Sequence, residues 1–529
     1  MTRILVYDTT LRDGAQGPGV SFSLEDKLAL AAKLDELGFD YLEGGYAVAN
    51  PKEMEFFREV RKLKLKNTTV VSFGNTRRTG ARAEDDPSLR SMLDAGTPAA
   101  CVVGKAWDLH VEVVFKASLD ENLAMIADSV RYLKAQGREV IFDAEHYYDG
   151  YRANPDYALR CVEAARDAGA DFICLCDTNG GTISPDVGEI TAATRERIDT
   201  PLGIHCHNDG DMATGSTVAA VQAGATMVQG TVNGLGERCG NADLCVVIPT
   251  LALKLDREVL PDDSLSRLTE LSRYVYELAN MIPRDSQPYV GVNAFSHKGG
   301  LHVNAVQKMH RTYEHVEPER VGNARHILIS ELSGRSNVLA KVEAEELRGN
   351  PELVKKVLDR LQELENEGYQ FEAAEASFDL LVKKLLGKHR TFFDLDRFNV
   401  VVDRFHGGRP VTYATVKLSV GGEVRHTASE GDGPVNALDG ALRKAIQDFY
   451  PSINDVHLID YKVRVVNPRA GTAAKVRVII ESRDHHNIWS TVGVSENIIE
   501  ASWQALVDSV EYKLLREEGE KADGPRLEG

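Results

Sequence analysis

The stretch RDAGADFICLCDTNGG, Arg166 to Gly181, holds a whole architectural unit. A helical segment closes on Gly169, an apolar run from Phe172 to Cys176 follows, and the run ends on a polar tip, Asp177 and Thr178. Glycine past a helix end takes the left-handed conformation that other residues resist. A short unbroken apolar run is what a strand needs when helices cover its sheet. The same order recurs at DELGFD, KAQGREV and VQAGATM, each placing a glycine just before the next apolar run. Working outward, the strand candidates are RILVYD (3–8), DYLEG (40–44), TTVVSF (68–73), AACVVG (99–104), EVIFDA (139–144), DFICLCD (171–177), PLGIHCH (201–207) and TMVQGTV (226–232). Strands separated by helical segments such as LEDKLALAAKLDELG predict a closed parallel (β/α)8 barrel, a TIM barrel, over residues 1–275.

Beyond it the pattern changes. A loop-rich stretch and then long helical patterns predict an accessory region over 276–390. From 391 to 516, β-rich runs alternate with two helices, VNALDGALRKAIQDF and ENIIEASWQALVDSVEYKL. Ala441, Leu442 and Ile446 fall opposite Ala505, Leu506 and Val510, which predicts an α+β domain of duplicated strands-then-helix units. The charged residues 517–529 read as a disordered tail.

Composition sets bounds. A chain of 529 residues, 43% hydrophobic and 27% charged, is that of a globular protein of several domains. Its net charge of −18 argues against broad nucleic-acid or anionic-membrane binding. The absence of a basic-then-apolar leader and of any long apolar run predicts a cytoplasmic protein. Seven cysteines, none in CxxC spacing, read as buried reduced thiols.

The chemistry converges on the barrel mouth. His205 and His207 lie two apart on a strand, so both imidazoles face the same way, and Asp13 in DTTLRDGAQ adds an oxygen donor. This set predicts a divalent metal site suited to Mg, Mn or Zn, with open positions for a chelating 2-oxo acid. Arg12 either pairs with Asp13 or stabilises charge developing on a carbonyl oxygen. NGLGERCGNADL (233–244) is either a tight turn or a loop that meets a ligand through Gly234 and Gly236, with Asn241 near the metal. Asp143 and Glu145 share a strand face, and Thr178 sits at a strand tip. The basic run KKLLGKHR (383–390) is a candidate for phosphate contacts or a solvated helix end.

Taken in order, DTTLRDGAQ, LEGGY, DAEHYYDGY, DTNGG, HCHND and GLGERCGNADL resemble the metal-dependent acyl-CoA lyase and synthase superfamily that includes the isopropylmalate, homocitrate and citramalate synthases. FSHKGGLHVNAV, TYEHVEPERVGN and LSGRSN resemble the accessory subdomains of the synthases, and the C-terminal part resembles their amino-acid-sensing domain. The resemblance implies that Asp13, His205 and His207, with Asn241 close by, hold the metal. It further implies that Arg12 polarises the keto group, that Thr178, Gln16 and Asp143 serve the substrate, and that Glu145 stands by the methyl of acetyl-CoA. His302 and Tyr313 would complete proton transfer across a homodimer. The implied reaction joins acetyl-CoA to pyruvate and then hydrolyses the thioester, giving citramalate for isoleucine biosynthesis, with isoleucine as effector. A 2-isopropylmalate synthase using 2-oxoisovalerate, a homocitrate synthase, or a sensor without activity are the alternatives. Tyr46, Tyr147 and Tyr148 are expected to narrow the pocket around pyruvate. Two departures stand out: Asn304 replaces an acidic residue, and GGYAVANP lacks the usual proline near its glycine pair.

Overall fold

The computed structural model describes residues 2–47, 51–328, 350–404, 409–467, 471 and 473–523. All eight expected strands form: β1 (Leu5–Asp8), β2 (Tyr41–Tyr46), β3 (Thr69–Asn75), β4 (Ala99–Lys105), β5 (Glu139–Glu145), β6 (Phe172–Asp177), β7 (Leu202–Cys206) and β8 (Met227–Gly230). They run parallel in chain order and close by pairing of β8 with β1, Leu5 opposite Met227. Gly38, Gly137, Gly169 and Gly224 all have positive φ, so the glycine signal marks true helix ends. The first helix, Leu24–Leu37, starts on a Ser23–Asp26 capping box that satisfies two otherwise unpaired N–H groups.

Alternation along each strand sorts the side chains into two layers. One parity packs against the helices and makes the main core, with Val6, Leu42, Val102, Phe142, Leu175, Ile204 and Val228 among its members. The other parity fills the barrel: Tyr7, Tyr41, Val71, Cys101, Ile141, Cys174 and Met227 form an apolar plug. One step further along the strands the same parity turns polar, giving Glu43, Asp143, His205 and Gln229, all buried. The site therefore sits on a rigid apolar floor, at the carboxyl ends of the strands.

The compact unit built on the barrel comprises residues up to Phe295 together with Glu314–Arg325. Gln287 ties the loop after residue 280 into it through buried hydrogen bonds to Asn233 and Asp243, of 3.1 and 2.7 Å. The second unit contains two three-stranded antiparallel sheets, each followed by a helix: Asp394–Asp403, Val411–Val420 and Glu423–Gly431 precede Pro434–Ile446, and His457–Val465, Val476–Arg483 and Ile488–Ser495 precede Ile498–Asp523. Ala441, Leu442 and Ile446 meet Ala505, Leu506 and Val510 in one core, as the aligned repeats predict. The helices Pro351–Glu367 and Glu375–Leu385 pack on the strand Ile488–Ser495 through Val357, Phe378 and Val492.

Two expectations are corrected here. Residues 517–523 are not a loose tail but the last turns of the helix Ile498–Asp523, where Glu517 pairs with Lys513 at 3.0 Å and accepts from Ser452 at 2.7 Å. Charge there signals a solvated helix face. Cys239 is exposed, while the other six cysteines are buried and free. The segment LSGRSN, part of GGYAVANP and residues 524–529 lie outside the described residues. No described helix is long and apolar enough to cross a membrane.

Candidate metal centre and active site

His205 is the penultimate residue of β7, and His207 follows the strand on the same side, bridged to Asn241 in the loop after β8. Their Nε2 atoms stand 3.4 Å apart. Asp13, in the turn after β1, brings Oδ2 to 3.3 Å from His205 Nε2 and 3.8 Å from His207 Nε2. Asn241 Nδ2 donates to Asp13 Oδ2 at 2.9 Å. The separations of 3.4 and 3.3 Å match the edges of a coordination shell, since metal–ligand bonds of about 2.1 Å at tetrahedral or octahedral angles set neighbouring donors roughly 3–3.4 Å apart, and the 3.8 Å between His207 and Asp13 is longer than such an edge. The chemistry of the donors fits as well. Asp13 Oδ1 and Asn241 Oδ1 are buried without a hydrogen-bond partner, a cost that protein interiors avoid unless something else uses such groups.

The electrostatics prepare Asp13 and His207 as ligands. Burial opposes charge on Asp13, but Arg12 and the two imidazoles outweigh it and hold the carboxyl far below its usual range. Burial, assisted by His205 alongside, pushes His207 down to about 3, so its imidazole is neutral and free to donate a lone pair. Burial also disfavours the charged form of His205, and Asp13 reverses this and raises it. Gln229 on β8 fixes the His205 ring. Its Nε2 donates to Asp143 Oδ1 at 3.0 Å, so its Oε1, 3.0 Å from His205 Nδ1, accepts the ring hydrogen and leaves Nε2 facing the cluster. Replacing Gln229 with Leu is expected to weaken divalent-metal affinity about 10- to 100-fold without unfolding the barrel, as a calorimetric metal titration would read.

Arg12 is held from three sides. Its Nε donates to Glu43, its Nη1 lies 3.2 Å from Asp13 Oδ2, and its guanidinium lies 4.1 Å from the centre of the Phe73 ring. Burial works against its charge, yet Glu43 and Asp13 raise its pKa, so it stays cationic. Glu43 is fully buried and also accepts from Tyr7 Oη at 2.7 Å. Arg12 thus pairs with Asp13 and also lines the cavity.

That cavity has a volume of about 240 Å3, and Arg12, Asp13, Gln16, Asp143, Glu145, Thr178, His205 and His207 are among its lining residues. Every barrel residue expected at the site therefore reaches it except the loop residues. Asn241 stands behind the metal donors. Gly234 and Gly236 do not face the cavity; a Cβ at Gly236 would lie 2.2 Å from Asn241 Oδ1, and one at Gly234 3.2 Å from Asn241 O. Both glycines pack closely around Asn241. Gly236→Ala is expected to displace that amide and lower metal affinity about tenfold or more, measurable in the same titration.

Thr178 accepts from the His146 amide at 2.9 Å and is no helix cap, since the next helix begins at Ser184 behind Ile183. His302 and Tyr313 come together in the second unit, their rings stacked 4.1 Å apart. Tyr147 and Tyr148 do not narrow the cavity. They are fully buried and bonded to Thr194 and Thr191 of a helix, because the left-handed turn at His146 starts the helix Tyr147–Ala153 directly after β5. Tyr46 stands behind the wall residues Asn75, whose Nδ2 donates to its hydroxyl at 2.6 Å, and Phe73, whose ring it meets edge-on at 5.9 Å. The walls are instead Phe73, Asn75, Val103 and Lys105, none of them foreseen. The basic run 383–390 is largely consumed within its own unit, by Lys383–Asp379, Lys384–Asp508, His389–Glu511 and Arg390–Glu518 pairs.

The HMGL-like family model matches residues 3–275, more than half of the chain. A homocitrate synthase post-HMGL domain-like model matches 289–369, and a LeuA allosteric (dimerisation) domain model matches 372–514. The chain is 51% identical to an (R)-citramalate synthase of Geobacter sulfurreducens over 98% of its own length and 99% of the relative's. It is 52% identical to an (R)-citramalate synthase of Aquifex aeolicus, again over 98% and 99%. A probable 2-isopropylmalate synthase of Methanopyrus kandleri is 33% identical over 96% of this chain and 98% of that one. With its own barrel, its polar strand ends and its paired histidines in that frame, the chain belongs to the HMGL-like family.

Proposed function

We propose that the barrel joins acetyl-CoA to pyruvate and hydrolyses the thioester, releasing citramalate and CoA. The observation that carries the chemistry is the convergence of Asp13, His205, His207, Arg12 and Glu145 on one cavity. The choice of pyruvate is supported by the names of relatives that share about half of all residues along nearly the whole length.

Asp13, His205 and His207, with Asn241 beside them, would hold a divalent cation, which when bound supplies Lewis acidity to the keto acid. Arg12 faces the same cavity with its charge fixed by Glu43, and meets negative charge as it develops on the keto oxygen. Thr178, oriented by the His146 amide, offers its hydroxyl to the carboxylate of the 2-oxo acid. Glu145 lines the cavity from β5 and takes the methyl proton of acetyl-CoA. His302 and Tyr313 are assigned to proton transfer in a homodimer. The expected loss of turnover in His302→Ala, with metal binding intact, checks that assignment.

CoA release measured with pyruvate, 2-oxoisovalerate and 2-oxoglutarate tests the reading. The expected result is a kcat/KM for pyruvate well above the others. The 2-isopropylmalate alternative is favoured by the Methanopyrus relative, and a preference for 2-oxoisovalerate would establish it. Isoleucine is the proposed effector, acting through the residues matched by the allosteric domain model. A chain truncated before residue 372 that stays active and is still inhibited by isoleucine would refute that role.

A further inference from the structure

Lys105 ends β4 directly opposite Glu145, its register partner on β5, and its Nζ donates to Glu145 Oε2. Both side chains line the cavity and are mostly buried, 16% and 23% exposed. The strand end beneath is fixed: Asn122 Nδ2 donates to the Lys105 carbonyl at 2.8 Å and to Tyr157 Oη at 2.9 Å. Phe115 places its ring 5.8 Å from the ammonium. Among the described residues lining the cavity, the Lys and Arg side chains are Arg12 and Lys105, and Arg12 is already committed to Glu43 and Asp13. An ion pair of this kind is poor evidence for added stability. Its position matters more.

We infer that Lys105 is a further catalytic residue, the ammonium that meets the negative charge forming on the thioester oxygen of acetyl-CoA. The inference rests on the condensation proposed above. In that reaction the methyl C–H bond breaks and its proton passes to Glu145. The electron pair left behind forms the C=C bond of an enolate, and the thioester oxygen takes the negative charge. The enolate carbon then bonds to the keto carbon of pyruvate, and the electron pair of the C=O bond moves onto the keto oxygen. Two oxygens therefore gain charge in succession. Arg12 and the Asp13–His205–His207 cluster serve the second, and the first needs a donor of its own. The Lys105 ammonium supplies a charged hydrogen bond.

The test uses the full-length, metal-loaded chain with Lys105→Met and Lys105→Arg. Carboxymethyl-CoA carries a fixed negative charge at the acyl end, one carbon beyond the thioester carbon and beside the site of the enolate oxygen, whereas CoA carries none there. In Lys105→Met, kcat is expected to fall about 10²- to 10³-fold, the usual cost of one oxyanion donor, with KM for pyruvate within about threefold. Calorimetry should show carboxymethyl-CoA weakened by about tenfold or more while CoA stays within about threefold, because only the former brings a charge to the acyl end where Lys105 stands. Lys105→Arg should recover most of that affinity. Unchanged CoA binding also reports an intact fold. Equal loss for both ligands, or a kcat in Lys105→Met near that of the parent, overturns the assignment. A parent protein that releases no CoA with any 2-oxo acid defeats the condensation itself, a result distinct from failure of Lys105 alone.

Discussion

Asp13→Ala is expected to abolish tight divalent-metal binding and to lower kcat by about 10³-fold or more. The estimate follows from two facts: a Lewis-acidic metal contributes several kcal/mol to such a barrier, and each ~1.4 kcal/mol is a factor of ten in rate. Asp13 is also the acid that counters Arg12 and orients Asn241, with contacts of 3.2 and 2.9 Å. Its removal therefore takes away one donor and loosens another. Unfolding is not the expected cause of the loss, because His205, His207 and Asn241 rest on separate strands and loops whose apolar floor is untouched. Metal titration and circular dichroism on the same variant separate the two explanations. A variant that keeps the metal and its turnover would mean that the two histidines act without a carboxylate.

The second large effect is on stability. Glu43 is fully buried between Arg12 and Tyr7, and its own carboxyl is pushed up by burial. Glu43→Ala leaves a nearly buried guanidinium short of one counter-charge and a buried phenol without its acceptor. Removing one partner of a buried ion pair costs about 3–5 kcal/mol, which lowers the apparent Tm of a unit this size by the order of 10 °C. Glu43→Gln keeps a hydrogen-bond acceptor and should lose less stability, yet still impair turnover because Arg12 no longer has a balanced charge. Urea or thermal unfolding of both variants checks the order. If Glu43→Ala unfolds like the parent, Arg12 is not held by that carboxylate.

Much of this was legible in the chain. Glycines before apolar runs marked the barrel, because a helix stop and a strand start leave a chemical trace of a few residues. The His205–His207 pair and the Asp143–Glu145 pair followed from counting by twos along a strand. The same count extended to AACVVGK reaches Lys105 from Ala99, and on the strand after Tyr41 it reaches Glu43, so those residues carried a readable signal. What counting does not supply is which neighbour a residue meets. Lys105 meets Glu145, and Gln229 meets His205, only because the barrel closes and sets the register of separate strands. Tyr147 and Tyr148 were misread for a local reason, the left-handed turn at His146 that ends the strand parity. The terminal helix was misread because its charges pair along one face, as Lys513 does with Glu517.

The account depends on a cation held by Asp13, His205 and His207. Its most direct test is calorimetric titration of chelator-stripped, full-length protein with Mg, Mn and Zn salts, followed by assay of CoA release at each point. The expected result is one binding event per chain with turnover rising in step, lost together in Asp13→Ala. Full turnover in the stripped protein, or binding that survives in that variant, would contradict it.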